Sequence, residues 1–277
     1  MEKSVSFRLG LFRVRSFLQH YLTAWHTGGE GIHSPYLFDW VRMWMYDDNA
    51  YYVWSHIEKE RNRLLRDTRT LLVTDYGTGS QRNPQRKVAD IAASSLQSSK
   101  YARLLFRLVC FLGENRLQAN NAFDGLSVVE LGTSLGITTA YLAATDSRNT
   151  VYTYEGSSAL LEQAGQVWKR LNFTNIRSIV GNIDDTLGGT LPEKIDLAYI
   201  DANHRCEAVM RYFAQLLPHV HRKTVFVIDD IHYSPDMLRV WQTICRHPMV
   251  TTTMNLYDLG LVFFDTDYLH KNYRLRY

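Results

Sequence analysis

Hydrophobic and polar positions divide the chain into two stretches with different periods. Up to about residue 97, apolar residues recur every three or four positions, which is typical of helices with one buried face. Ser34 and Pro35 have the residue types of an N-cap and first helical position, and they predict a helix over 35–46. Another is predicted over 53–65. In the first helix the pattern predicts a buried face of four residues: Phe7, Leu11, Val14 and Leu18.

From about residue 98, strand-like apolar runs alternate with helical patterns. The runs are 126–131, 150–155, 176–180, 194–201 and 223–230. This order predicts an α/β fold with a doubly wound, mostly parallel sheet covered by helices. Near the end of the chain, two β-rich runs flank a "YDLG" turn and predict an antiparallel hairpin.

Two segments follow from this change of period. Residues 1–97 are predicted to form a helical N-terminal segment, and residues 98–277 a separate α/β domain. The N-terminal segment is rich in Trp and Tyr, so we interpret it as a lid or as a source of substrate or oligomer contacts. A homodimer is one such arrangement.

Composition narrows the class of protein. The 277 residues are 45% hydrophobic and 21% charged, as in ordinary globular proteins. A net charge of +3 is too small to indicate nucleic acid as the main partner. Cys110, Cys206 and Cys245 lack CxxC spacing and are interpreted as reduced thiols.

The start of the chain does not have the pattern of a membrane span or a signal peptide. No run approaches 18 apolar residues, and arginines interrupt the apolar residues of the first helix. We therefore expect a cytoplasmic protein without a membrane span. The basic residues of that helix could meet a membrane surface, but a solvated face is the simpler interpretation.

Two glycine turns compete for the role of nucleotide-binding turn: "VTDYGTGS" at 73–80 and "VVELGTSLGITT" at 128–139. Such a turn needs a preceding strand, a following helix, and an acid at the end of the next strand. The second turn meets these conditions, because Glu155 ends the next run 25 residues after Glu130. The segment 75–80 is followed by Pro84 and no immediate helix. It is interpreted as a turn, with a loop that reaches the active site as the alternative.

The segment "VVELGTSLGITTAYLA" resembles the first motif of class I S-adenosylmethionine-dependent methyltransferases, particularly the catechol and caffeoyl-CoA type O-methyltransferases. The segments "KYARLLFRLV", "YEGS", "VGNIDDTL", "IDLAYIDANH" and "VFVIDDIHYS" agree with that family in order and spacing. The resemblance covers roughly residues 98–277. It implies a Rossmann-like, seven-stranded sheet and S-adenosylmethionine as cofactor.

The resemblance also implies a cofactor site. In it, Glu130 would hold the amino group of the cofactor directly or through water, and Glu155 would receive both ribose hydroxyls. Glycines let the backbone approach the cofactor and the helix pack closely. At the adenine end a plain turn is an equally good interpretation. The site comprises Glu130, Gly132, Thr133, Ser134, Gly136, Glu155, Gly156, Asn182, Ile183 and Asp201.

Acids at two strand ends raise the question of a metal. In the resembling enzymes, positions matching Asp201, Asp229 and Asp230 hold Mg²⁺ or another divalent cation, although Asn stands where this chain has Asp230. Three carboxylates are acceptable ligands for a hard cation. Alternatively, Asp201 orients the cofactor, and the other two acids cap the following loop.

His204 is a candidate general base. It stands three residues after Asp201, where the catechol-type enzymes have a lysine base, and histidine can accept a proton near neutral pH. The alternative is a helix-start histidine that bonds the backbone. His232 and Tyr233 are candidates for the acceptor pocket, and otherwise are ordinary loop residues.

These residues together predict methyl transfer to the hydroxyl of a small acceptor by in-line attack. An N-methyltransferase or a nucleic-acid methyltransferase is the nearest alternative. The Asn-Pro-Pro-aromatic loop of enzymes that methylate base amino groups is missing, because "DANH" stands there. A protein that binds the cofactor without catalysis is the alternative from another class.

Overall fold

The computed structural model of the chain describes residues 2–25, 27–32, 34–47, 49–74, 84–120 and 123–277. The glycine stretch 75–80 lies outside these ranges, as does the side chain of Phe7. The helices are α1 Glu2–Thr23, α2 Pro35–Met45, α3 Tyr52–Leu64, α4 Val88–Ser95, α5 Ser99–Asn120, α6 Ile137–Ala143, α7 Ser158–Arg170, α8 Ile183–Thr190, α9 Cys206–Leu216 and α10 Pro235–Ile244. The strands are β1 Thr70–Leu72, β2 Gln85–Lys87, β3 Ser127–Leu131, β4 Thr150–Glu155, β5 Ile176–Val180, β6 Ile195–Ile200, β7 Val220–Ile228, β8 Thr252–Asn255, β9 Gly260–Phe263 and β10 Lys271–Arg274.

The main sheet has the predicted doubly wound, mostly parallel form. Its strand order is β10-β8-β9-β7-β6-β3-β4-β5, and β3 to β7 are all parallel. The predicted C-terminal hairpin is formed by β8 and β9, and β9 is also antiparallel to β7. The chain order reverses at β3, which lies between β4 and β6, so the crevice for a ligand is expected at the carboxyl ends of these strands.

The sheet has one strand more than expected. Strand β10 pairs with β8 in parallel, with Lys271 opposite Thr252. It is only four residues long and buries one of them, Tyr273, too short a pattern to recognise in the sequence. A second departure lies in the N-terminal segment, where β1 and β2 form an antiparallel pair between the predicted helices.

The N-terminal helices α2 and α3 form as predicted. Ser34 caps α2, because its hydroxyl accepts a hydrogen bond from the Leu37 amide. Trp40 and Trp44 are buried with their rings 4.8 Å apart, and the Trp44 indole donates to the Leu104 carbonyl of α5. Helix α2 therefore shares its hydrophobic core with α5 and with one face of the main sheet.

Helix α1 contradicts the predicted burial pattern. Leu11, Val14 and Leu18 are 61%, 59% and 52% exposed, whereas Ser16 and His20 are buried. The protein surface beneath α1 offers polar partners: Ser16 Oγ lies 2.5 Å from His232 Nδ1, and His20 Nε2 lies 3.1 Å from the Leu275 carbonyl. Periodicity identified an apolar face correctly but assigned it to the wrong side of the helix.

Two further observations bear on the sequence-based expectations. Cys110, Cys206 and Cys245 are free thiols, as predicted. In the part of the chain that the structure describes, no helix combines the length and apolar character needed to cross a membrane.

Candidate active site

A cleft of about 490 Å³ opens at the carboxyl ends of the central parallel strands. The residues that line it belong to two groups. We call those predicted to bind the cofactor the cofactor half, and those predicted to bind the acceptor or a metal the acceptor half. The cofactor half contributes Gly132, Ser134, Glu155, Gly156, Asn182 and Ile183. The acceptor half contributes Asp201, His204, Asp229, Asp230 and Tyr233.

Two glycines of the turn after β3 are required by close contacts. Gly132 has φ +102°, and a Cβ there would lie 2.2 Å from the Asp201 carbonyl oxygen. Gly136 has φ +77°, and its Cβ would lie 2.7 Å from the Ala164 Cβ of α7. Both positions therefore favour glycine for conformation and for space. The close neighbours are β6 and α7, which this turn holds against the end of β3.

Glu155 is held in place by backbone amides at the end of β4. Its Oε2 accepts from the Ser134 amide at 2.8 Å, and its Oε1 accepts from the Ser157 amide at 2.9 Å. Ser134 adopts φ +49°, which directs its amide to the carboxylate, and its hydroxyl lies 2.8 Å from that of Ser95 on α4. Charge-assisted bonds of this kind fix the orientation of the carboxylate in the cleft.

Glu130 and Thr133 lie beneath the cleft. Glu130 is fully buried, and its Oε2 accepts from the hydroxyls of Thr139 and Thr153 at 2.5 and 2.6 Å. Thr133 Oγ1 is 2.5 Å from Thr153 Oγ1 in the same network. Burial raises the pKa of Glu130 to about 7. Neither side chain lines the cleft, but Glu130 Oε1 is buried with no hydrogen-bond partner among the described residues. Contact of Glu130 with the cofactor, directly or through water, and contact of Thr133 therefore stay predictions.

The acids of the acceptor half form a hydrogen-bonded cluster at the ends of β6 and β7. Gln97 Nε2 donates to both carboxylate oxygens of Asp229 at 3.0 Å. The Tyr199 hydroxyl donates to Asp229 at 2.9 Å and lies 3.2 Å from an Asp201 oxygen. Burial and the neighbouring carboxylates raise the pKa of Asp201 well above its usual value and that of Asp229 to about 7. The cluster can therefore retain a proton near neutral pH.

His204 borders this cluster on the cleft side. Its Nε2 lies 3.5 Å from Asp201 Oδ1 and 3.9 Å from Asp230 Oδ2. Burial lowers the pKa of His204, and the Asp230 charge opposes that shift. The imidazole is therefore neutral at pH 7 and has carboxylates nearby that would stabilise its protonated form.

The acid cluster does not fit a divalent cation as it is arranged. Among the described residues, no group of three or more His, Cys, Asp or Glu side chains has the geometry to hold a metal. Gln97 and Tyr199 donate to the Asp229 oxygens that a hard cation would need. The three predicted metal ligands lie in one place, but both Asp229 oxygens already accept hydrogen bonds.

His232 and Tyr233 are adjacent in sequence but face different cavities. Tyr233 lines the cleft, and the Arg13 guanidinium of α1 lies 4.1 Å from its ring centroid. His232 instead lines a separate cavity of about 260 Å³, where its Nε2 contacts the Asn255 amide at 3.0 Å. Its assignment to the acceptor pocket is thereby corrected, since its ring stacks on Tyr257 away from the cleft.

Sequence reasoning missed Gln97 and Tyr199. Tyr199 precedes Asp201 by two positions, so the alternation of a strand places both on the same side of β6. That signal was available. Gln97 lies in the link between α4 and α5, and only tertiary packing brings it to Asp229.

Comparisons with known proteins bear on the class of protein and on the fold. Residues 129–231 match a family model described as a methyltransferase domain. The O-methyltransferase from Bacillus cereus, solved with SAH, has TM-score 0.55 and 18% identity, over 81% of this chain and 96% of that one. TomG, an O-methyltransferase from Streptomyces achromogenes solved with SAM, has TM-score 0.51 and 19% identity, over 62% and 82%. SAH-bound PaMTH1 from Podospora anserina has TM-score 0.53 and 15% identity, over 84% and 97%.

A comparison with curated proteins found none that matches this chain. The domain match confirms the predicted enzyme class, a methyltransferase. The structural likeness confirms the predicted α/β fold. The predicted resemblance to class I methyltransferases is therefore confirmed.

Proposed function

We propose that this protein transfers a methyl group from S-adenosylmethionine to the hydroxyl of a small acceptor, with His204 as general base. The observation that carries the proposal is that one cleft contains both the anchored Glu155 carboxylate and the His204 imidazole. The cofactor would bind at the ends of β3 and β4, and the acceptor at the ends of β6 and β7.

The cofactor half has suitable groups for a nucleoside. Two backbone amides orient the Glu155 carboxylate, and a carboxylate offers about four acceptor positions, so it is suited to accept from ribose hydroxyls. Ile183 offers an apolar surface for an adenine ring. Asn182 caps α8 through its side-chain oxygen, which leaves its amide nitrogen for the ligand.

The acceptor half has a proton acceptor beside carboxylates. S-adenosylmethionine would supply the methyl group already activated as a sulfonium, so the protein mainly has to orient the acceptor. A ring nitrogen of His204 would take the hydroxyl proton as the oxygen attacks. Asp201 and Asp230 would stabilise the imidazolium that forms.

The acceptor is proposed to be small because a cleft of about 490 Å³ must hold both cofactor and acceptor. Nucleic acid is not proposed as a partner, in keeping with the net charge of +3. A cytoplasmic location and a homodimer stay predictions.

The cofactor assignment is tested with Glu155→Ala. Loss of two hydrogen bonds to a charged group should weaken S-adenosylhomocysteine binding about 100-fold, measured by calorimetry. Glu162→Ala on α7, outside the cleft, is the matched control. Equal affinity in the wild type and Glu155→Ala would contradict the assignment.

The catalytic assignment is tested with His204→Ala and a panel of hydroxylated acceptors. Turnover should fall about 100-fold or more while S-adenosylhomocysteine still binds.

Because Gln97 and Tyr199 hold the acid cluster, removal of divalent cations with EDTA should leave turnover unchanged. Wild-type turnover in His204→Ala would exclude the histidine as base, and restoration of EDTA-treated enzyme by Mg²⁺ would favour the metal hypothesis. A wild-type protein that binds the cofactor but methylates nothing would favour the non-catalytic alternative.

A further inference from the structure

Helix α1 turns its polar side toward the protein and its apolar side outward. Ser16 and His20 are its buried positions, whereas Leu22 is 69% exposed and Trp25, just beyond the helix, is 78% exposed. Isolated exposed apolar residues are common, but a contiguous helical face of them marks an interaction surface. We define the outer face of α1 as Leu11, Val14, Phe17, Leu18, Tyr21, Leu22 and Trp25.

Arginines border this outer face. Arg8 and Arg15 are exposed on α1 itself. From the C-terminal strand and the residues after it, Arg274 donates to the Thr23 hydroxyl, and the Arg276 guanidinium lies 4.1 Å from the Tyr21 ring centroid. Residues 1–29 contain Glu2 as their single acid against four basic residues. The surface is therefore apolar at its centre and cationic at its margin.

We propose that the outer face of α1 docks on an anionic lipid surface. Trp, Tyr, Phe and Leu on one side with arginines beside them are the composition of helices that lie in the plane of a membrane interface. Arginines at the margin would meet anionic headgroups, which attract basic residues near the surface.

A second copy of the chain fits this face less well. A parallel pair of α1 helices along the apolar stripe would bring Arg8 and Arg15 near the same cations of the other copy, and like charges at such positions oppose helix pairing. In an antiparallel pair the arginines would find no acid other than Glu2 within residues 1–29 of the other copy. Charge complementarity therefore favours lipid.

Docking through α1 would also orient the cleft, a consequence that rests on the proposed function. The inner side of α1 holds the loop after β7, because Arg13 Nε donates to the Tyr233 carbonyl at 3.0 Å and Ser16 contacts His232. A helix is about 10 Å across, so the loop beside the acceptor half would lie within about that distance of the lipid.

The test is co-sedimentation with phosphatidylglycerol–phosphatidylcholine vesicles, compared with vesicles of phosphatidylcholine alone. The wild type should bind the anionic vesicles and be released by salt. Leu11→Ser with Leu22→Ser should weaken binding at least about 30-fold, since two exposed leucines no longer enter the interface. The matched control is Leu72→Ser with Leu269→Ser, because these leucines are 67% and 63% exposed elsewhere, and it should bind as the wild type does.

The charge contribution is tested with Arg8→Gln and Arg15→Gln. Affinity for the anionic vesicles should fall about tenfold, with no change on phosphatidylcholine. Arg63→Gln with Arg148→Gln, whose side chains on α3 and before β4 are 60% and 57% exposed, is the matched control and should bind as the wild type does.

Three outcomes would overturn the proposal. They are absence of wild-type binding to anionic vesicles, equal loss in the two leucine variants, and a dimer in light scattering that the Leu11→Ser, Leu22→Ser variant abolishes without any vesicle binding. The last outcome would assign the face to a second copy. S-adenosylhomocysteine affinity measured without lipid tests the proposed function separately, so the failure of one proposal is distinguishable from the failure of the other.

Discussion

The two halves of the cleft are built in different ways. The cofactor half is fixed by backbone: two amides hold Glu155, and glycines at 132 and 136 let three elements meet closely. The acceptor half is fixed by hydrogen bonds between side chains, in which Gln97 and Tyr199 donate to Asp229. Backbone contacts give one rigid arrangement, whereas a cluster of interacting titratable groups changes its charge with pH.

The halves also differ in where their residues come from. The cofactor half is drawn largely from two short segments, 130–136 and 155–157. The acceptor half combines the α4–α5 link, the ends of β6 and β7, and Arg13 of α1, which are far apart in sequence. A local motif can therefore identify the first half, but the second depends on the complete fold.

The largest expected effect is at the point where the halves touch. Gly132→Ala would place a Cβ 2.2 Å from the Asp201 carbonyl at φ +102°, and should lower the free energy of unfolding by about 3 kcal/mol or more. Gly165→Ala, in α7 with no atom within 4 Å of the added Cβ, should instead raise it by about 1 kcal/mol. Urea unfolding measures both. A neutral Gly132→Ala would mean that the halves are not held together at this contact.

The next effect concerns charge beneath the cofactor half. Burial raises the pKa of Glu130 to about 7 in the folded protein, against an ordinary value of 4.5, so the folded state binds this proton more tightly. Its contribution to stability is therefore lost as pH rises from about 4.5 to about 7, by about 3 kcal/mol in total. Glu130→Gln should remove that part of the pH dependence.

Urea unfolding at pH 5 and pH 8 measures the difference. The Glu130→Gln variant should gain stability relative to the wild type at pH 8 but not at pH 5, whereas Glu162→Gln on the surface of α7 should change neither value. Parallel pH profiles for wild type and Glu130→Gln would show that burial does not raise the pKa of this carboxyl, and would leave titration near neutral pH to the acceptor half.

The smallest expected effect is at the rim of the cleft. Residues 75–80 lie outside the described ranges, but Thr74 before them and Arg86 after them line the cleft. If this segment serves the acceptor half, Gly77→Ala should raise the KM for acceptor about tenfold without changing cofactor affinity. Gly165→Ala is the control. A weaker cofactor affinity in Gly77→Ala would assign the segment to the other half.

The sequence alone determined the strand, glycine turn and helix around 128–139, the acid that ends β4, and the order of the later strands. These follow from local period and spacing, because a turn with positive φ needs glycine and a buried parallel strand needs a continuous apolar run. The sequence also predicted that the acids at 201, 229 and 230 lie close together, because the carboxyl ends of neighbouring parallel strands meet at one edge of the sheet.

Only the tertiary structure decided what each helix face and each side chain contacts. The apolar stripe of α1 is evident in the sequence, yet its outward direction depends on the polar surface that receives Ser16 and His20. Thr133 and Ser134 are neighbours, but one hydroxyl joins the buried Glu130 network and the other the cleft. His232 and Tyr233 are also neighbours in sequence, but their side chains line different cavities. Period and spacing define faces, while long-range packing chooses the partner of each face.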